Sequence, residues 1–169
     1  MPNQADHQDV VNTINEFCRA FDMRDWTALR RCLADSLATD YSSFRGTPPS
    51  RITADEFVAV RKSSLSGLVT QHLGFNHLVV FEGERARCRF DFMIHRWPQD
   101  AGDSRFFHTF GYYEMVLHRE QKALHHWAIE SITQHALRSG GNPEIHGAHR
   151  PGGQEFSGKG SLDVRKGAS

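Results

Sequence analysis

The side chains that could do chemistry lie far apart in this sequence. His72 belongs to Thr70-Gln-His-Leu-Gly-Phe-Asn-His77, the opening of a strand-like run that ends near Phe81. Alternation puts Thr70, His72, Gly74, Asn76, Leu78 and Val80 on one face of that strand. Imidazole titrates close to neutrality, so a histidine on the half of a strand that becomes apolar further along is a candidate base facing a cavity. A lone inward histidine is more often a satisfied core residue, and what shifts the balance is a carboxylate upstream. Asp22 continues the ridge Ile14, Cys18, Asp22, each four residues after the last. It therefore sits on the apolar flank of a helix, near its C-terminal end. Burial and the negative end of the helix dipole both make that a costly place for a charge, tolerated where a partner cation or a task compensates.

Those two residues need a helix and a sheet to hold them. Val10, Val11, Ile14, Phe17, Cys18 and Phe21 recur at helical spacing between Asp6 and Phe21, with Asp6 or Asp9 available as N-cap. Asp25 reads as the N-cap of a short second helix with Trp26, Leu29 and Leu33 facing inward. Ser36 to Phe44 reads as extended, and Gly46-Thr-Pro-Pro-Ser50 as a loop. Thr53-Ala-Asp-Glu56 is a capping box that starts a third helix carrying Phe57, Val58 and Val60. The second half is strands: a hairpin turn at Phe81-Glu-Gly-Glu-Arg85, then Ala86, Cys88, Phe90, Phe92 and Ile94 alternating with more polar neighbours. A polar loop over 98–104 leads to a Phe- and Tyr-rich strand over 106–118, and a last strand covers 124–135. Helices first and a strand meander afterwards make an α+β domain over residues 1–138. Residues 139–169 form a Gly/Pro/His-rich tail, read either as a partial lid or as a disordered end.

Composition narrows the class of function. Twenty basic residues balance twenty acidic ones, which removes the electrostatic footprint of a nucleic-acid binder. No apolar run approaches the length needed to cross a bilayer, and no signal-peptide core is evident, so a cytoplasmic protein without a membrane partner is expected. Cys18, Cys32 and Cys88 are odd in number and widely spaced, which fits neither a disulfide framework nor a Cys-x-x-Cys site. Eleven histidines raise the question of a metal, but His125-His126 would point to opposite faces of a strand. No Cys or carboxylate spacing accompanies them, and no metal site is expected.

Phe21-Asp22 is followed by Arg24-Asp25-Trp26 and Leu29-Arg30, then by Asp40-Tyr41 with Ser43-Phe44 and by Glu56-Phe57-Val58. Thr70-Gln71-His72 with Gly74, and Trp127, complete the series. In this order and approximate spacing, over residues 6–135, the chain resembles the SnoaL-like branch of the nuclear transport factor 2-like superfamily, and within it the scytalone dehydratases. The resemblance implies a cone-shaped barrel, in which a curved, mostly antiparallel sheet wraps over about three N-terminal helices and leaves a deep pocket. It implies a catalytic aspartate and histidine at Asp22 and His72, a pocket tyrosine at Tyr41 with Phe44 beside it, and a second histidine, by counting from His72, at His95. Alternation disagrees on the last, placing Ile94 rather than His95 on the apolar face. Phe21 stands where scytalone dehydratase has a tyrosine, and the serine and asparagine of relatives fall near Gly111 and Tyr113, so scytalone itself is not implied. Relatives of this kind need no metal or organic cofactor and self-associate, so a homodimer or homotrimer is expected.

Elimination next to a carbonyl needs a base for a weakly acidic C–H, a donor for the developing oxyanion and an acid for the leaving oxygen. His72 can take the proton and return it, with Asp22 holding the ring in the correct tautomer, as an orienting carboxylate does in a triad. Tyr41 is the candidate donor. Rings from Phe17, Phe21, Phe44, Phe90 and Tyr113 would line a cavity suited to a hydrophobic or cyclic small molecule. The expected activity is that of a lyase, a dehydratase of a cyclic or polyketide-like compound. An isomerase, an aldol cyclase or a non-catalytic binding protein of the same fold are the alternatives.

Overall fold

The computed structural model describes residues 4–100 and 105–145. The long first helix α1 (Gln4–Met23) buries Ile14, Phe17, Cys18 and Phe21 along one stripe, as the helical spacing requires. It ends at Arg24, whose φ of 57° breaks the helical path, while Asp25 donates its backbone N–H back to the Ala20 carbonyl. Asp25 then caps α2 (Trp26–Arg31), its carboxylate accepting from the Ala28 N–H at 2.9 Å. Leu33, expected in this helix, instead opens strand β1 (Leu33–Asp40).

The stretch expected to be extended as far as Phe44 turns after Asp40 into one helical turn, α3 (Ser42–Arg45). The Asp40 carboxylate accepts from the Ser42 N–H, and Gly46 supplies the left-handed C-cap at φ 69°. A short β2 (Ser50–Thr53) leads into α4 (Ala54–Ser64), where Thr53 and Glu56 form the anticipated capping box.

Four longer strands follow: β3 (Leu68–Glu82), β4 (Arg85–Pro98), β5 (Phe107–Arg119) and β6 (Trp127–Gly141). They join β1 and β2 in one six-stranded sheet of order β2-β1-β6-β5-β4-β3, antiparallel except for β1 against β6. The sheet does not close: β2 and β3 are its two edges, so the expected barrel is an open curved sheet with the helices against its inner face. The core between them holds Ile14, Phe57, Phe90, Met115, Leu117 and Trp127, all almost wholly buried. β6 runs past residue 138 to Gly141, and a 3-10 turn covers Pro143–Ile145; the remainder of the expected tail lies outside the described residues. Among the described residues no helix is long and apolar enough to cross a membrane.

The sheet departs from simple alternation within β3. Phe75 pairs with Asp91 but Leu78 pairs with Arg89, so β3 carries one extra residue there. Asn76 takes the left-handed conformation at φ 58°, and its amide donates to the Asp91 carboxylate at 2.8 Å. Beyond this bulge the faces exchange. His77 stacks on Phe90 and Phe81 on Trp127, whereas Leu78 and Val80, expected on the inner face with His72, are 65% and 59% exposed.

Candidate functional site

β3 is an edge strand, so every second backbone N–H on it points away from β4 and needs another acceptor. The C-terminal end of α1 supplies one. Asp22 Oδ2 accepts the backbone N–H of His72 at 2.8 Å, and Oδ1 lies 2.6 Å from His72 Nδ1. The Thr70 hydroxyl donates to the same Oδ1 at 3.0 Å. Thr70 and His72 share a face because they are two residues apart, and Asp22 bridges both.

Arg24 anchors this junction without touching Asp22 itself. Its Nη1 donates to Thr70 Oγ1 at 2.9 Å, and its guanidinium also reaches the carbonyls of Phe21, Leu65 and Leu68. Five donors on a rigid plane can tie the end of α1, the loop after α4 and the start of β3 together. The Asp22 carboxylate is thus a shared acceptor in a chain Arg24–Thr70–Asp22–His72.

With Asp22 on Nδ1, the neutral His72 ring carries its proton there and presents Nε2 as an acceptor. Its ring lies almost flat on Phe21, with centroids 5.0 Å apart and planes inclined by 26°. Burial lowers the His72 pKa below its ordinary value; the hydrogen bond and charge of Asp22 oppose that shift, while Arg96 and Arg24 add to it.

Beside His72 opens a pocket whose empty space, including the part open to solvent, is about 430 Å³. Of the residues expected there, Phe21, Tyr41, Phe44, His72 and Tyr113 line it, and Asp22 stands behind His72. Phe17 does not line it: its ring packs edge-on to Phe21 and against Phe57 within the core. Phe90 is likewise fully buried, between His77 and Tyr113.

His95 is a correction. β4 keeps strict alternation, so His72 faces Ile94 across the ladder and His95 emerges on the outer face. There it stacks on Trp97 and lies 2.7 Å from His108, Nδ1 to Nδ1. The bulge that could have turned it inward is in β3, at Asn76, beyond His72.

Several lining residues were not foreseen. Arg96 continues the buried series Phe90, Phe92, Ile94 and is 3% exposed. Its side chain donates to Thr109 at 2.9 Å and lies beside the rings of Phe44 and Phe107, which stack on each other. Arg45 and Arg61 also border the pocket, Arg61 with its guanidinium 4.5 Å from the centre of the Tyr41 ring. Gln134 donates to the Tyr113 phenol at 2.6 Å, which leaves the phenol's own proton free for an acceptor. Burial raises the Tyr113 pKa, so the ring stays neutral and able to donate. Alternation along β4 points to Arg96, and Gln134 lies two residues after the buried Ile132 on β6; Arg45 and Arg61 lie on helices α3 and α4, where alternation gives no sign.

Residues 3–133 match the SnoaL-like domain model. The chain belongs to the SnoaL-like family. A curated relative, the scytalone dehydratase PfmaJ of Pestalotiopsis fici, is 32% identical over 71 residues, covering 40% of this chain and 37% of the relative. The aligned part thus spans well under half of that relative's length. Among solved structures, the Kfla4162 protein of Kribbella flavida superposes with a TM-score of 0.74 at 22% identity, covering 81% of this chain and 94% of the other. A hexachlorocyclohexane dehydrochlorinase (LinA type 2) superposes with a TM-score of 0.66 at 14% identity, covering 88% and 95%. At these identities the structural likeness establishes the fold.

The lowered pKa of His72 makes a prediction about stability. The unfolded chain takes up a proton on this residue near 6.5, the folded chain only at lower pH. Its contribution is therefore complete above pH 6.5 and is lost as the pH falls through the folded-state value. Denaturant unfolding at pH 7.5 and 5.5 should show wild type losing more stability on acidification than His72→Gln; an equal loss would place the folded pKa at the ordinary value.

Proposed function

We propose that this SnoaL-like chain is a lyase, a dehydratase acting on a cyclic or polyketide-like small molecule by general acid–base catalysis. The observation that carries this reading is the Asp22–His72 contact of 2.6 Å at the wall of an open pocket. His72 Nε2 removes a proton from the carbon next to the substrate carbonyl, and the carbonyl oxygen takes up the negative charge as an enolate. Phenolic O–H groups of Tyr41 and Tyr113 are the donors that meet this oxygen. The C–O bond to the β-hydroxyl then breaks as the enolate collapses to a conjugated carbonyl, and the imidazolium gives its proton to the departing hydroxide. Water leaves and His72 is neutral again. Asp22 holds the ring and stabilises the imidazolium; it never needs to take the proton itself.

Names borne by relatives, a scytalone dehydratase and a dehydrochlorinase, agree with an elimination that starts by proton removal. Isomerisation and aldol cyclisation begin with the same step, and the same dyad would serve either.

The test uses a panel of cyclic β-hydroxy ketones, followed by the ultraviolet absorbance of the conjugated product. His72→Ala and Asp22→Ala should each lower kcat/KM by about 10²- to 10⁴-fold, the usual contribution of positioned acid–base groups. Turnover unchanged in both variants would remove the dyad from the mechanism. Exchange of the α-hydrogen with deuterated solvent, without loss of water, would move the assignment to an isomerase.

Self-association belongs to the same proposal. The bulge at Asn76 brings Leu78 and Val80 onto the outer face of β3 with Val69, Leu73 and Phe75, and all five are exposed. Five exposed apolar residues on one face of an edge strand, interrupted by Gln71 alone, favour a partner surface. Sedimentation velocity at micromolar concentration should give a dimer or trimer that Phe75→Ser with Leu78→Ser converts to monomer. A monomeric wild type would contradict it.

A further inference from the structure

The pocket holds more positive charge than its own walls neutralise. Several arginines elsewhere on the molecule have carboxylate partners: Arg19 with Glu16, Arg30 with Asp35 and Asp55, Arg85 with Glu130, Arg119 with Asp6. At the pocket the arginines face aromatic rings instead. Among the described residues no carboxylate lies within ion-pair distance of Arg45, Arg61 or Arg96. The nearby carboxylate, Asp22, is already committed to His72 and Thr70.

Arg96 is the decisive case. It is 3% exposed, one nitrogen donates to Thr109, and its buried Nε has no hydrogen-bond partner among the described residues. The Phe44 and Phe107 rings offer cation–π attraction but leave the donor unused. A buried guanidinium with an empty donor edge is expensive unless a ligand completes it. Burial and the charges of Arg45 and Arg61 pull its pKa down to about 10, while Tyr113 acts the other way. At neutral pH it remains a cation. A second orphan lies close by: Gln134 Oε1 is buried without a partner, on the side chain whose amide nitrogen donates to Tyr113.

We infer that the pocket takes a substrate bearing a carboxylate on a flat ring system, with the carboxylate on the Nε edge of Arg96 and under the positive field of Arg45 and Arg61. Two oxygens in one plane match two parallel guanidinium N–H groups, a bidentate fit that a neutral carbonyl lacks. The ring then lies among Phe21, Phe44 and Tyr113. A hydroxyl elsewhere on the ligand gives Gln134 Oε1 the donor it lacks. This deepens the proposed elimination by naming the charge on its substrate, and it can be tested without turnover.

The probes are 2-naphthoate, its neutral counterpart 2-naphthamide, and 2-naphthyl phosphate, titrated calorimetrically into the full chain at pH 7.5 in a buffer free of phosphate and carboxylate. Naphthoate should bind roughly tenfold or more tightly than naphthamide, the difference expected of one charge-assisted contact. Arg96→Met should remove that preference while changing naphthamide affinity by less than about twofold. Should Arg96→Met fail to fold, Arg45→Met with Arg61→Met, at the mouth, should weaken naphthoate about fivefold or more with naphthamide unaffected. Equal affinity for acid and amide, no binding of either at millimolar concentration, tighter binding of the phosphate, or a preference untouched by the arginine variants would each overturn the inference. Naphthoate selectivity together with intact turnover in the dyad variants would separate this result from failure of the proposed mechanism.

Discussion

An edge strand leaves backbone donors without partners, and a helix that ends beside it can bring an acceptor to them. In this chain the acceptor is Asp22, and the strand is β3. The carboxylate completes the hydrogen bonding of the His72 backbone and orients the His72 side chain at once, so fold and site share one interaction. Loss of the carboxylate would leave a buried N–H unpaired and a buried imidazole free to turn. The Arg24–Thr70 contact fixes the approach from the other side and holds an arginine at a φ of 57° where glycine would be unstrained.

Electrostatics divides the pocket into two parts. Around His72 the charge is local, a carboxylate beside a ring that burial keeps neutral, with the Arg24 guanidinium one hydroxyl away through Thr70. Opposite it stand guanidiniums facing aromatic rings rather than carboxylates. An acid–base group that must hold and release one proton benefits from the first arrangement, and a ligand's own charge would complete the second. Phe21, stacked on His72, excludes water from one face of the imidazole and so adds to the burial that lowers its pKa.

How much of this could be read from the residues varied with the kind of signal. Asp22 and His72 were legible because each lies on a regular ridge, one helical and one extended, and the family resemblance joined the two. The capping box at Thr53 and the Asp25 cap were legible for the same local reason. The bulge at Asn76 was not: its only sign is an asparagine able to take the left-handed conformation, and that capacity is shared by many asparagines that never use it. Without the bulge, alternation places Leu78 and Val80 on the wrong face. His95 shows two signals in conflict, a count carried over from relatives and the alternation of β4, and the backbone follows alternation. Arg96 is hard to assign from sequence because a charged residue at the end of an apolar series reads as the first exposed position. Phe17 and Phe90 show a further limit, since an inward ridge does not distinguish packed core from cavity wall, and whether a curved sheet closes is not written in any one strand.

Catalysis by His72 requires its Nδ1 proton to point at Asp22, which leaves Nε2 bare toward the pocket. Nitrogen-15 NMR of histidine-labelled protein above pH 7 reads that tautomer directly, with His72→Gln to assign the signal. Expected are a protonated Nδ1 and an unprotonated Nε2 in wild type, and loss of this preference in Asp22→Ala. A wild-type His72 carrying its proton on Nε2, or a tautomer indifferent to Asp22, would contradict it.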